Sequence, residues 1–266
     1  DRNRTSPFAF TGNKFEFRML GSSNSIACAN MMLNAAVAES LRQYADRLEQ
    51  AQDRVAEIHQ ILRDVIGQHQ RILFDGNGYD ESWIQEAKAR GLLNLPTTAD
   101  CMPCLLHKKN VEMLTHHGVF SFPEIKSRCE IMLDNYCKTV EIEANTMIHM
   151  TRQDILPAVQ SYAAHVAQGI SAKRAVLSTL PCAHEEKLLE QLCTLTDQIA
   201  QNMETLEALE SRVEQLDDVT QTSEAVRDQV LPAMEQLRQA VDQAETTTAS
   251  EFWPYPSYGQ LLFGVR

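Results

Sequence analysis

Four charged side chains near the start of the chain have the types and spacing to bind a metal-bound anion. Lys14, Glu16 and Arg18 alternate with Phe15 and Phe17. The side-chain period of a strand is two, so the three charges share one face and the two rings share the other. A carboxylate can hold a hard divalent cation, and flanking cations can hold phosphate or carboxylate oxygens. Arg4 lies upstream in Asn3-Arg4-Thr5-Ser6-Pro7-Phe8-Ala9-Phe10, and Thr11-Gly12-Asn13 supplies residues that tolerate a tight hairpin turn. Taken alone, the alternation also fits an ordinary solvated strand face.

The elements that must position these residues are mostly helices. Gly21 to Ser25 is a turn rich in cap residues, and Ile26, Leu33, Val37, Leu41, Tyr44 and Leu48 then step with helical spacing. Val55, Ile58, Leu62, Val65, His69 and Ile72 continue the pattern to a break at Asp75-Gly76-Asn77-Gly78. His69 on that stripe reads as a core or boundary residue. A short helix starts near Asp80 and ends at Gly91. Residues 94–121 are less regular and hold Cys101-Met102-Pro103-Cys104, His107, His116 and His117. Adjacent helical histidines point about 100° apart, which argues against one shared zinc ion. No βαβ pattern surrounds the cysteine pair, which argues against a thioredoxin-like site. A long helix is expected from Phe122-Pro123 to about Leu156, with a kink at Pro157 and an end near Gly169. Glu141 and Glu143 on it read as solvated or ion-paired. The stripe Leu192, Leu195, Ile199, Met203, Leu206, Leu209, Val213 and Leu216 is answered by Val226, Val230, Leu237, Val241 and Ala244. That predicts an antiparallel helical hairpin, bent at Pro232. The tail Phe252-Trp253-Pro254-Tyr255-Pro256 should dock in extended form.

The bulk numbers limit the partners. The 266 residues allow one large domain or two small ones. A net charge of −12 argues against nucleic acid or an anionic membrane as the main partner. Residues 1–20 carry four basic side chains (Arg2, Arg4, Lys14, Arg18) and two acidic ones (Asp1, Glu16), a local +2 that leaves −14 for the rest. Seven cysteines at irregular spacing, with no secretion signal, fit reduced thiols and a cytoplasmic location. No apolar run reaches membrane-spanning length. The chain starts at Asp1 rather than methionine and enters the motif within three residues, so it is expected to be the C-terminal portion of a longer polypeptide.

The run from Asn3 to Arg18 resembles the C-terminal part of the glutamine synthetase catalytic domain, in which an Asn-Arg-Ser/Thr turn precedes a basic-x-Glu-x-Arg strand. The type III branch of that family is also resembled by four further segments. They are Phe74-Asp75-Gly76-Asn77-Gly78-Tyr79, His117-Gly118-Val119-Phe120-Ser121, Ile155-Leu156-Pro157-Ala158-Val159 and Trp253-Pro254-Tyr255-Pro256-Ser257-Tyr258-Gly259. The resemblance implies an α+β, mostly α fold: a short antiparallel strand pair of the catalytic barrel, then long helices and the helical hairpin. The expected divisions are 1–74 (end of the catalytic domain), 75–169 (helical region), 170–249 (hairpin) and 250–266 (docked aromatic tail).

The same resemblance implies ATP-dependent ligation of ammonia to L-glutamate through a γ-glutamyl phosphate, with ATP and Mg²⁺ or Mn²⁺. It assigns Glu16 to the nucleotide-side metal and Arg18 to the glutamate carboxylate. Arg4 would contact ATP phosphate and the reacting carboxylate. Lys14 would help hold nucleotide in the place of an arginine. A hexameric or dodecameric homo-oligomer is implied as well. The sequence departs from the family in three ways. Ala9 stands where common members carry a second arginine, the link from Arg4 to Glu16 is short, and the Asp-containing segment followed by Asn-Pro-Tyr is missing after the strand. No role is therefore carried onto Ser22 through Ile26. Two other readings remain beside the enzyme: a non-catalytic helical assembly module, and a related ATP-dependent glutamate–amine ligase.

Overall fold

The computed structural model describes residues 8–10, 15–17, 25–74, 76–78 and 80–264, with backbone alone for 8–10 and 15–17. The chain divides into two units, Asp1–Cys129 and Glu130–Arg266.

In the first unit β1 (Phe8–Phe10) pairs antiparallel with β2 (Phe15–Phe17), with Ala9 opposite Glu16. The helix α1 (Ile26–Gln50) begins where Ser25 Oγ accepts the Ala27 N–H, and α2 (Arg54–His69) begins where Asp53 accepts from Val55 and Ala56. These caps satisfy backbone donors that the first helical turn leaves over. Arg47 ties the two helices together, 2.7 Å from Glu57 and 3.0 Å from Asp64.

The helix α3 (Glu81–Ala89) is capped by Asp80 and stops at Gly91. There a φ of +72° lets the Gly91 and Leu92 amides turn back onto Lys88 and Ala87. The four-residue α4 (Thr98–Cys101) opens with a Thr97–Asp100 capping box and runs into a 3₁₀ segment, Met102–Leu106. Next, α5 (Lys108–His116) ends at Gly118 (φ +63°) by the same device as α3. Ala35, Leu114 and Ile125 form the core of this unit, with Met32, Val111 and Phe120 packed on them.

The α1 stripe is only partly covered: Ile26 is 62% exposed, Val37 56% and Leu41 60%, while Leu33, Tyr44 and Leu48 are half-buried. His69, read as a boundary residue, is exposed at the end of α2. Helical periodicity says which side of a helix is apolar, and it does not say what covers that side.

The second unit is a bundle. Its rods are α6 (Phe122–Met150) with α7 (Leu156–Val176), α8 (Ala183–Val213), and the short α9 (Val219–Ala225) with α10 (Leu231–Thr247). On α8, Leu192, Leu195, Ile199, Met203 and Leu206 are buried. Arg152 reaches Glu207 at 2.6 Å, and Lys173 and Arg174 pair with Glu185 and Glu186. On the other side Asn202 Nδ2 donates to Gln236 O at 3.1 Å, and Gln191 Nε2 to Thr247 Oγ1 at 3.4 Å. Numbers fall along one helix as they rise along the other in both sets, so α8 runs antiparallel to α7 and to α10.

Each flanking rod contains one π-helical turn, Thr151–Ile155 and Val226–Val230. Both precede Leu-Pro, and the Leu156 and Leu231 amides reach back five residues to Thr151 O and Val226 O. A proline has no N–H and its ring crowds the carbonyl four residues earlier. Widening one turn to the π pattern relieves that crowding while the helix continues. The expected kinks are therefore π turns, and α7 continues past Gly169 to Val176.

Trp253 and Tyr255 pack on this bundle, Phe252 lies 5.2 Å from the Tyr162 ring, and Tyr255 donates to Asp154 at 3.1 Å. A six-residue helix, α11 (Tyr258–Phe263), follows with a Ser257–Gln260 capping box.

The α+β expectation is corrected by these helices: the fold is all-α in class. Every regular element from Ile26 to Phe263 is helical. The three-residue ladder of β1 and β2 joins no further strand among the described residues, so no barrel is present in them. Two three-residue strands cannot make a layer that buries a core. The expected antiparallel pairing of α8 with the stripe of residues 226–244 is present, and α7 packs on the other flank of α8 as well.

Leu206 has no exposure at all. Leu206→Ala should lower the urea-unfolding free energy by about 3 kcal/mol through lost burial and an unfilled cavity. Ile142→Ala, at a side chain 67% exposed, should change it by less than about 0.5 kcal/mol. Equal effects would show that the α8 stripe is not the core of the unit.

Candidate functional site

Of the residues singled out for chemistry, Arg4, Lys14 and Arg18 lie outside the described residues. Glu16 is placed by its backbone alone, at the middle of β2 opposite Ala9. The structure therefore neither brings these four side chains together nor separates them. What it does describe is two polar clefts that sequence reading did not single out.

The first cleft, in the N-terminal unit, has a volume of about 740 Å³ and is lined by Glu39, Arg42, Gln43, Lys109, Asn110 and His116 among others. The i, i+3 spacing on α1 lets Arg42 grip Glu39 with two nitrogens, at 3.0 and 2.7 Å. Gln43 Nε2 adds a bond at 2.8 Å, and His117 Nε2 from the end of α5 lies 2.9 Å away. The Arg42 bonds first, then Gln43, hold the Glu39 carboxyl far below the usual carboxylate range. Such a carboxylate is a poor proton acceptor. Its role here is to clamp α1 to α5, which positions the helix that follows β2 in sequence.

The second cleft, of about 460 Å³, opens at the α8–α9 end of the bundle. Glu141 and Asp134 on α6 face Glu207 and Glu210 on α8 and Glu214 just past its end, with Lys138 the one cation among the described lining residues. Lys138 is held by Asp134 at 2.6 Å. Burial, then repulsion from Glu141 and Glu214, pushes the Glu210 carboxyl up from 4.5 to about 7. Glu210 stands on the α8 seam itself, seven residues after Met203 and four after Leu206, and a reading that follows apolar side chains steps past it to Leu209. Among the described residues no three His, Cys, Asp or Glu side chains converge as a metal site requires. The cleft can take up a proton near neutral pH.

Between pH 4.5 and about 7 the folded chain keeps a proton on Glu210 that the unfolded chain gives up. Stability is thus present at acid pH and is lost as pH rises through that window. Glu210→Gln should leave unfolding unchanged at pH 4.5 and stabilise the chain at pH 8. The gain should be about 1 kcal/mol, reduced by screening at a partly exposed group. Urea titrations at the two pH values measure it, and no gain at pH 8 would mean that the carboxylate is already well solvated.

Comparison with known proteins supplies what the two clefts do not. Residues 57–174, from α2 to near the end of α7, match the family model of the glutamine synthetase C-terminal domain. The chain is 35% identical over 275 residues to a glutamine synthetase of Butyrivibrio fibrisolvens, covering 100% of this chain and 38% of that protein. It is 31% identical over 270 residues to a type-3 glutamine synthetase of Dictyostelium discoideum, covering 99% and 37%. A glutamine synthetase of Bacteroides fragilis is 30% identical over 271 residues, covering 99% and 37%. The chain thus spans a little over a third of the length of the curated relatives it matches. No described helix is long and apolar enough to cross a membrane. Because the likeness to these enzymes runs along the whole chain rather than through one motif, the chain belongs to the glutamine synthetase family and carries the C-terminal region of its type III branch.

Proposed function

We propose that the chain works as part of a glutamine synthetase that joins ammonia to L-glutamate at the expense of ATP, through a γ-glutamyl phosphate. The observation that carries this reading is the alignment of essentially the whole chain with glutamine synthetases at 30–35% identity. Phosphoryl transfer to a carboxylate brings two anions together, so a protein that promotes it must neutralise charge and fix position. Residues of the right kind stand in the segment from Arg4 to Arg18.

Glu16 would hold the divalent cation on the nucleotide side, Mg²⁺ or Mn²⁺, since a carboxylate suits a hard ion. When bound, that ion polarises and neutralises phosphate oxygens. Arg18 would fix the glutamate carboxylate by a two-pronged bond, and Arg4 would contact ATP phosphate and the reacting carboxylate. Lys14 would add a point charge toward the nucleotide rather than a fork. The helices that follow would hold this segment in place, in a cytoplasmic homo-oligomer of the ring type.

In the complete protein, Glu16→Ala should abolish glutamine formation, with a loss of at least about 10²-fold for the removal of a charge-stabilising contact. Turnover is read by a glutamine-synthesis assay, and circular dichroism checks that the helices are intact. Near-normal turnover would favour the helical assembly module over the catalytic reading.

A further inference from the structure

Three of the seven cysteines, Cys101, Cys104 and Cys129, meet at one turn in the N-terminal unit. Cys101 closes α4, and Cys104 lies in the 3₁₀ segment that follows. The backbone is right-handed helical at Cys101 (φ −89°, ψ −34°) and at Met102 (φ −63°, ψ −40°). The ring of Pro103 fixes its own φ near the same value. Residues three apart on such a path lie on one side, with Cα atoms about 5 Å apart, within the span a disulfide bridges.

Both thiols are half-buried and reduced. Each makes only a weak bond to a carbonyl, Cys101 Sγ to Thr98 O at 3.7 Å and Cys104 Sγ to Asp100 O at 3.9 Å. From α6, Cys129 Sγ reaches Met102 O, between the pair, at 3.4 Å. Cys28, on α1, is exposed.

We propose that Cys101 and Cys104 form a reversible thiol–disulfide site, which a small disulfide such as oxidised glutathione converts to an internal bridge. The Cys104 thiolate attacks one glutathione sulfur, forming a mixed disulfide and releasing one glutathione. The Cys101 thiolate then attacks the Cys104 sulfur and releases the second. Two electrons pass from the protein dithiol to glutathione, and the two thiol protons end on the released thiols.

Burial, with Cys104 and Asp100 nearby, raises the Cys101 thiol, so it ionises late and acts second. Whether the pair is bridged is then set by the ratio of disulfide to thiol around it.

Arg90 and Lys108 are consecutive tryptic sites, so one peptide, residues 91–108, contains both cysteines. The chain is incubated at graded ratios of oxidised to reduced glutathione, alkylated, digested and weighed. The expected result is a peptide lighter by two hydrogens and free of alkylation, returned to the dithiol by dithiothreitol. Cys193, exposed in the other unit, should carry only a glutathione adduct and serves as the internal control. Cys104→Ser should remove the bridge, and the wild-type result stands without it should that variant fail to fold. The proposal is overturned if the peptide stays doubly alkylated when Cys193 is fully modified. It is also overturned if Cys101 bridges to Cys28, or if Cys104 bridges to Cys129.

Discussion

Without the apolar stripe of α8, neither α7 nor α10 would have a surface to bury against, and the bundle of the C-terminal unit would have no centre. Leu192, Ile199 and Leu206 are wholly buried there, with Leu195 and Met203 close to it. The flanks answer with Val159, Val166 and Ile170 on one side and Leu237, Ala240 and Ala244 on the other. Alanines at 144, 163, 233, 240 and 244 let backbones approach where a larger side chain would hold them apart. The ion pairs along the α7–α8 seam are exposed and add little energy. Their part is to fix register, because the seam's apolar spacing alone would tolerate a slip of one heptad.

The same dependence explains the two π turns. A helix that must lie along α8 cannot bend away at a proline without uncovering part of the stripe. One wide turn absorbs the proline locally, and the rod keeps its contact. The motif Arg-x-x-Ile/Val-Leu-Pro-Ala occurs twice, at Arg152–Ala158 and Arg227–Ala233. Arg152 meets Glu207, and the pairing of Asn202 with Gln236 places residue 207 opposite about residue 231. The two bulges thus flank α8 at one level. Buried Thr151 and Val226 supply the accepting carbonyls.

Local grammar was readable from the residues. Ser25, Asp53 and Asp80 start helices, Gly91 ends one, and the α8 stripe is buried where its spacing said it would be. Partnership was harder to read. The stripe on α8 was expected to have one neighbour and has two, because periodicity reports the direction of burial and not the number of surfaces that share it. The stripe on α1 shows the opposite failure, with Val37 and Leu41 exposed although the pattern is just as regular. The α+β expectation failed because it came from a resemblance to a sheet-containing domain, whereas the described residues hold only two three-residue strands. Glu210 was missed because its shift arises from burial and then from Glu141, which is 69 positions away in sequence, and both are set only by folding. For the proposed site, the sequence pattern at Arg4, Lys14, Glu16 and Arg18 remains the whole of the argument.

Charge sets one further constraint on that reading. The proposed substrates are anions, while the chain carries a net −12. In a medium of physiological ionic strength the screening length is about 8 Å, so exposed carboxylates beyond that range hardly act on a bound phosphate. Contacts of about 3 Å are governed by the local set, where Arg2, Arg4, Lys14 and Arg18 outnumber Asp1 and Glu16. The helical body's negative charge would then act mainly on approach, slowing diffusion of anions to regions away from the basic segment. An acidic chain with an excess of basic side chains among residues 1–20 is thus compatible with anionic substrates.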